Sequence, residues 1–255
     1  MIALSVHHLS VNYDQTPVLW DVSFEVPQGL LVGIIGPNGA GKTTLIKTAL
    51  GLVKPISGSV EFFGKGLEQV RKQVAYVPQR TSVDWDFPIT AIDLVLMGRY
   101  GHLGLLKWPR KSDRAAAEYY LDIVGMRDYA NRQISQLSGG QQQRIFLARA
   151  LIQEADVYFM DEPFSGVDHG TEKVLVKLLK ELKEKGKTVF VVHHDLNTVE
   201  SYFDWVALLN MRLVGAGPLE EMFTPDNLNK TYGKSYTILD EALKLSQTKS
   251  SGMRP

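Results

Sequence analysis

The sequence predicts an α/β protein with a mostly parallel sheet, an antiparallel β layer near the N-terminus and an inserted helical subdomain. Three patterns carry this reading. Apolar runs at 157–160, 188–192 and 205–210 alternate with helical spacing over 171–185 and 196–202, the arrangement that covers a parallel sheet on both faces. Within 18–26, Val18, Trp20, Val22, Phe24 and Val26 alternate with Leu19, Asp21, Ser23 and Glu25, the period of a strand with one buried face. From 89 to about 136 the character changes. Ala115-Ala116-Ala117-Glu118-Tyr119-Tyr120-Leu121 has helical spacing, and Gly98, Gly101, Gly104 and Pro109 interrupt the segment. The boundaries expected are a core formed by 1–88 and 153–233, a helical subdomain over 89–152, and an extension over 234–255. The last stretch of that extension, 246–255, is polar, rich in Ser and Lys, and expected to fray.

At 255 residues the chain can bury a substantial core as one large domain or two subdomains. Its 28 basic and 28 acidic side chains cancel, which argues against a dominant attraction to nucleic acid or to an anionic membrane. No cysteine is present, so disulfides and cysteine metal sites are excluded. Met1-Ile2-Ala3-Leu4-Ser5 lacks the charged and apolar regions of a signal peptide, and no apolar run has spanning length. A soluble polypeptide is expected.

The first chemical motif is Gly36-Pro37-Asn38-Gly39-Ala40-Gly41-Lys42-Thr43, followed by Thr44, which matches G-x-x-x-x-G-K-[ST] at every fixed position. It follows a strand-length apolar run, 30–35, and leads into helical spacing over 42–50, the context a phosphate-binding loop requires. Gly36, Gly39 and Gly41 permit backbone angles that let successive N–H groups point at phosphate oxygens, and the helix N-terminus adds partial positive charge. Lys42 is expected to reach the β- and γ-phosphates of ATP, and the Thr43 hydroxyl to ligate the bridging Mg²⁺.

A second site is expected at Asp161 and Glu162, directly after the apolar run at 157–160. Two carboxylates at the C-terminal end of a strand sit where α/β sheets bind ligands. Asp161 is assigned to hold Mg²⁺ through water, and Glu162 to orient or deprotonate the attacking water. Standing alone, the pair would read as an ordinary acidic strand end.

Leu137-Ser138-Gly139-Gly140-Gln141-Gln142-Gln143-Arg144 is the third motif. By itself, Ser-Gly-Gly opening a helix reads as an N-cap and turn. Its place before the carboxylate pair gives it more meaning. From about Leu4 to Gly233 the chain resembles the nucleotide-binding subunit of ATP-binding-cassette transporters, and this octapeptide is similar to the family signature. The resemblance implies that Ser138, Gly139, Gly140 and Gln141 of one copy cap the γ-phosphate held by the phosphate loop of a second, head-to-tail copy. It further implies that Gln79, in Val74-Ala75-Tyr76-Val77-Pro78-Gln79, senses Mg²⁺ and the attacking water and links the core to the helical subdomain. Asp168, in Ser165-Gly166-Val167-Asp168, is implied at the dimer interface, and Tyr13 as the ring stacked on adenine.

His193 and His194 sit on a strand end, so their side chains point to opposite faces and are poorly placed to chelate one ion. His194, before Asp195, matches the family's γ-phosphate switch, and His193 is expected to be packed. His7, His8, His102 and His169 are scattered.

The segments from Arg80 to Thr90, with Asp84, Trp85 and Phe87, and from Met97 to Gly104 look like the manganese/zinc/iron branch of the importers. The resemblance implies a separate integral-membrane permease whose coupling helix docks after Gln79, an extracytoplasmic solute-binding protein, no nucleic-acid partner, and attachment to the cytoplasmic face of the membrane. Trp85, Phe87 and Trp108 are open to two readings, permease contact or core of the helical subdomain. Asp84 and His102 are not expected to bind the transported ion, which crosses through the permease. Manganese is favoured over zinc or an iron chelate. A soluble cassette protein or an exporter motor is the alternative.

Overall fold

The computed structural model describes residues 1–13, 16–83, 85–103 and 108–233. Asp84, Gly104 and the 234–255 extension lie outside the described residues. The strands in chain order are β1 (Ile2–Tyr13), β2 (Thr16–Pro27), β3 (Leu31–Ile35), β4 (Ser57–Phe62), β5 (Lys65–Gly66), β6 (Val74–Val77), β7 (Val157–Asp161), β8 (Thr188–His193), β9 (Trp205–Asn210) and β10 (Arg212–Pro218).

They form two sheets. An antiparallel four-stranded layer has the order β2-β1-β4-β5, and a six-stranded sheet has the order β10-β9-β3-β8-β7-β6. In the larger sheet β6, β7, β8, β3 and β9 run parallel, and only β10 is antiparallel. Every residue of β3, β7 and β8 is buried, which is why these segments read as continuous apolar runs rather than as alternation.

The pleat sends side chains into two separate cores. Leu31 and Ile35 of β3 join a cluster with the helices, whereas Val32 and Ile34 join one with the β layer and with Leu45, Ile46 and Ala49 of the Lys42–Ala49 helix. The first cluster runs unbroken from Ala75 and Tyr158 of the sheet into Ile92, Val95, Leu121 and Ile145 of the helical segment. That segment is closed at its neck by Ile134 N–H donating to Ile89 O, Ala91 N–H to Arg132 O and Ile92 N–H to Ala130 O, at 2.9–3.0 Å. Its three principal helices are Ala91–Leu96, capped by Thr90, Lys111–Ile123 and Gly139–Leu151.

Two sequence expectations are corrected. The alternation over 18–26 breaks at Asp21, whose φ is 51°. Between the pairs Leu9↔Val22 and Val11↔Leu19, two steps of β1 face three of β2, a bulge that flips the following side chains. Leu19 is therefore buried and Trp20 is half exposed, with the Arg212 guanidinium 5.9 Å from its ring. The helix expected over 196–202 shrinks to Val199–Tyr202. Its start is taken by an Asx turn in which Asp195 Oδ1 accepts from Asn197 N–H at 3.0 Å.

The aromatics of the helical segment divide. Trp85 packs edge-on against Phe146 at 5.1 Å and donates Nε1–H to Arg80 O, whereas Phe87 and Trp108 are 59% and 88% exposed.

Phe159 in β7 ties the second core together, stacked on Phe190 at 4.8 Å and edge-on to Phe62 at 6.0 Å. Phe159→Ala removes a fully buried ring and leaves a cavity, so it lowers stability by about 3–5 kcal/mol. The expected readout is a lower urea midpoint with an unchanged slope.

Candidate functional site

Parallel register aligns the strand ends. Ile35 pairs with His193, Asp161 with Val192, and Val77 with Met160, so the chain leaves β3, β8, β7 and β6 at one edge of the sheet. That edge receives the 36–44 loop, Gln79, Asp161 with Glu162, and His194. It is the carboxyl edge, where α/β sheets place ligands.

The loop after β3 wraps into the Lys42–Ala49 helix. Gly41, the helix N-cap, has φ 92°, and a Cβ there would lie 2.4 Å from Leu19 Cδ2 and 2.9 Å from Val18 O. Gly36 is tighter still, because a Cβ would meet Leu209 O at 1.9 Å. Each glycine is set by a close backbone approach that any side chain would block. The tip of the β9–β10 turn holds the loop from outside: Met211 N–H donates to Ala40 O at 3.0 Å, and Trp20 N–H donates to Met211 O at 2.8 Å.

A pocket of about 290 Å³ is lined by Val18, Asn38, Gly39, Ala40, Gly41, Lys42, Thr43, Thr44 and Glu162. Val18 carries no sequence signal of its own; it reaches the pocket because β2 passes under Gly41. Lys42 is buried, and its ammonium donates to Gly36 O at 2.7 Å and Pro37 O at 2.8 Å. Burial pushes its pKa down, against the upward pull of Glu162 and Asp161. Lys42 lines the pocket, so its ammonium can exchange these carbonyls for phosphate oxygens.

Thr43 Oγ1 donates to Asp161 Oδ1 at 3.1 Å. The other oxygen, Asp161 Oδ2, is buried with no hydrogen-bond partner. Burial, joined by the like charge of Glu162, holds this carboxyl above the usual range, although the Thr43 hydrogen bond and Lys47 and Lys42 pull it down. A lone buried carboxylate oxygen is costly unless a cation meets it. With the Thr43 hydroxyl bonded to its other oxygen, Asp161 offers hard oxygen donors, the type Mg²⁺ takes.

Glu162 adopts a left-handed backbone, φ 50°, immediately after β7. A non-glycine residue there is strained, as positions held for function often are. Its Oε2 accepts from Gln79 Nε2 at 2.9 Å.

The remaining predicted residues stand apart from this pocket. Tyr13 ends β1 and is 46% exposed. Ser138 caps the Gly139–Leu151 helix in a capping box: Ser138 Oγ accepts from Gln141 N–H at 3.4 Å, and Gln141 Oε1 accepts from Ser138 N–H at 2.8 Å. Ser138 is exposed and Gly139, Gly140 and Gln141 are half-buried. Asp168 caps the His169–Glu184 helix, accepting from Thr171 N–H at 3.0 Å and Thr171 Oγ1 at 2.6 Å, and these bonds hold its carboxyl below the usual range. His194 is exposed, whereas His193 is buried among Phe164, Tyr202 and Phe203. His193 Nε2 and Thr198 Oγ1 are hydrogen-bonded at 2.7 Å, and Thr198 Oγ1 also lies 3.1 Å from Asp195 O. Burial, then His194, lowers the pKa of His193, so its ring is neutral.

A family model described as "ABC transporter" matches residues 19–165. The chain is 60% identical to the manganese transport system ATP-binding protein MntB of Bacillus subtilis, over 94% of this chain and 96% of that one. It is 54% identical to the zinc transport system ATP-binding protein TroB of Treponema pallidum, over 91% and 87%. Among solved structures, an ATP-binding subunit of an ABC transporter is similar with a TM-score of 0.75 and 29% identity, covering 92% of this chain and 98% of that chain.

Two outcomes follow from the geometry. Lys42→Ala removes the buried ammonium and weakens ATP binding by tenfold or more, on the order of one charged hydrogen bond, in an equilibrium titration with labelled ATP. Asp161→Asn tests the buried carboxylate. A carboxyl whose folded pKa is raised binds more protons folded than unfolded. Its ionised form is therefore a cost at neutral pH, and stability falls as pH rises from the ordinary carboxylate range through the raised value. Without nucleotide, Asp161→Asn should melt higher than the parent at pH 7, by about 2–4 °C per kcal/mol relieved, and the gap should close below pH 4.

Proposed function

Because this chain belongs to the ABC transporter family, we propose that it is the ATP-hydrolysing motor subunit of an importer for divalent metal ions, manganese first among them. The observation that carries the reading is an incomplete pocket. Lys42, Thr43 and Glu162 line one side of a phosphate site, with Asp161 bonded to Thr43 and Gln79 to Glu162, while exposed Ser138 and half-buried Gly139, Gly140 and Gln141 line no part of it. A phosphate bound there would lack its far-side donors. A second copy, head to tail, would supply them, because its helix end carries free N–H groups and partial positive charge.

In this reading Lys42 and the backbone N–H groups of 36–44 bind the phosphates of ATP, and Tyr13 stacks on the base, a contact on the order of 1–3 kcal/mol by analogy with bases on aromatic rings. Thr43, Asp161 and Gln79 would hold Mg²⁺, which when bound neutralises phosphate charge. Glu162 accepts the proton of the attacking water, and the Gln79 amide holds its carboxylate in place. His194 and the partner copy's Asp168 region close on the γ-phosphate side. Closure that depends on nucleotide gives the differential affinity a conformational cycle needs.

No helix among the described residues is long and apolar enough to cross a membrane. The ion path is assigned to a separate permease, with this chain on its cytoplasmic side and a solute-binding protein outside. A cleft of about 700 Å³ between Glu68–Val74 and Met97–His102, flanked by half-exposed Met97 and Tyr100, is the proposed seat for a permease segment. Manganese rests on the relative at 60% identity; the relative at 54%, whose name carries zinc, keeps zinc as the second reading.

Glu162→Gln should bind ATP as the parent does and lose turnover by about 10²-fold or more. Parent-like turnover would remove Glu162 from its role. Loss of radioactive manganese uptake in cells lacking the chain, with zinc uptake kept, supports manganese; the reverse result assigns zinc.

A further inference from the structure

Arg80 follows Gln79 directly and lies against the Ser-Gly-Gly turn of the same chain. Its Nε–H donates to Gln142 Oε1 at 3.1 Å. A Cβ on Gly139 would lie 2.7 Å from Arg80 Cζ, 2.9 Å from Nη1 and 3.0 Å from Nε, so the guanidinium covers the first helical residue. Gln142 is itself anchored, 4% exposed and donating Nε2–H to Ile134 O at 3.0 Å. The backbone of Arg80 is held too, since its carbonyl accepts from Trp85 Nε1 at 2.8 Å, and Trp85 packs on Phe146 of the same helix. On the other side, one residue away, Gln79 Nε2 donates to Glu162 Oε2 at 2.9 Å.

We propose that Arg80 is a positioning residue that joins the Gln79–Glu162 contact to the first turn of the Gly139–Leu151 helix. Gln79 and Arg80 are consecutive, so a shift of Gln79 when Glu162 turns toward water moves the guanidinium, and the guanidinium carries Gly139 and Gln142 with it. Arg suits the task better than Lys, because its planar fork bonds Gln142 while its face lies over Gly139. Gly139 then has a second reason to be glycine: a side chain would displace the guanidinium from inside the subunit, apart from any phosphate arriving from outside. This inference rests on the proposed function for the meaning of the helix end. The link itself rests on the contacts alone.

The test uses the full chain with Arg80→Ala, Gln142→Ala and the double variant, with and without ATP and Mg²⁺. Hydrogen exchange at residues 139–142 reads the link. In Arg80→Ala, exchange without nucleotide should rise about fivefold or more, and the ATP-induced change in the parent should vanish. ATP affinity should stay within about twofold of the parent while kcat falls about fivefold with KM unchanged. The double variant should fall no further than the single variants, the mark of one shared contact. Unaltered basal exchange in Arg80→Ala, a retained ATP response, or losses that multiply as independent effects each overturn the proposal. A parent chain that binds no ATP overturns the functional reading instead, and basal exchange then still decides the link.

Discussion

The common end of β3, β6, β7 and β8 holds an ammonium, a hydroxyl, an amide and two carboxylates that no single local motif could bring together. Lys42 and Thr43 come from the loop after β3, Asp161 ends β7 and Glu162 follows it more than a hundred residues later, and Gln79 follows β6. What aligns them is parallel register. If one of these strands slipped by a residue, Asp161 would leave Thr43 and its buried face would turn to the wrong core. The two apolar clusters on opposite faces of the sheet therefore fix the chemistry as well as the fold.

The edge is electrostatically unfinished in a way that suits a charged ligand. Lys42 is satisfied by carbonyls and depressed by burial, Asp161 is raised by burial with one oxygen unpaired, and Glu162 is strained at φ 50°. Each of these costs the isolated chain stability, and the first two are of a kind that phosphate or a cation relieves. The strain is of the kind that marks sites kept for function.

Much of this was legible in the sequence, because the motifs sit on elements with strong local signals. The buried runs at β3, β7 and β8 announce parallel strands, and glycine spacing announces the loop. His193 is the last buried residue of β8, and His194, one residue past the strand, is exposed. Other features depended on tertiary contacts. The bulge at Asp21 put Leu19 rather than Trp20 in the core, and nothing in an alternating pattern marks where a strand gains an extra residue. Val18 reached the pocket, and Arg80 reached Gly139, only because distant segments cross there. Ser138 and Asp168 show a different limit: their side chains cap helices within the chain, and a cap and an interface contact have the same sequence.

We propose that each phosphate pocket is completed by the signature turn of another copy. The chain contains no cysteine, so site-specific crosslinking has no background. One preparation would carry Asn38→Cys in the phosphate loop, and a second Gln136→Cys, an exposed position just before the signature turn. Mixed under oxidising conditions, with Glu162→Gln in both, they should form a disulfide between the two different variants that requires ATP and Mg²⁺. A crosslink that forms equally without nucleotide, or none between these two positions in its presence, would contradict the account.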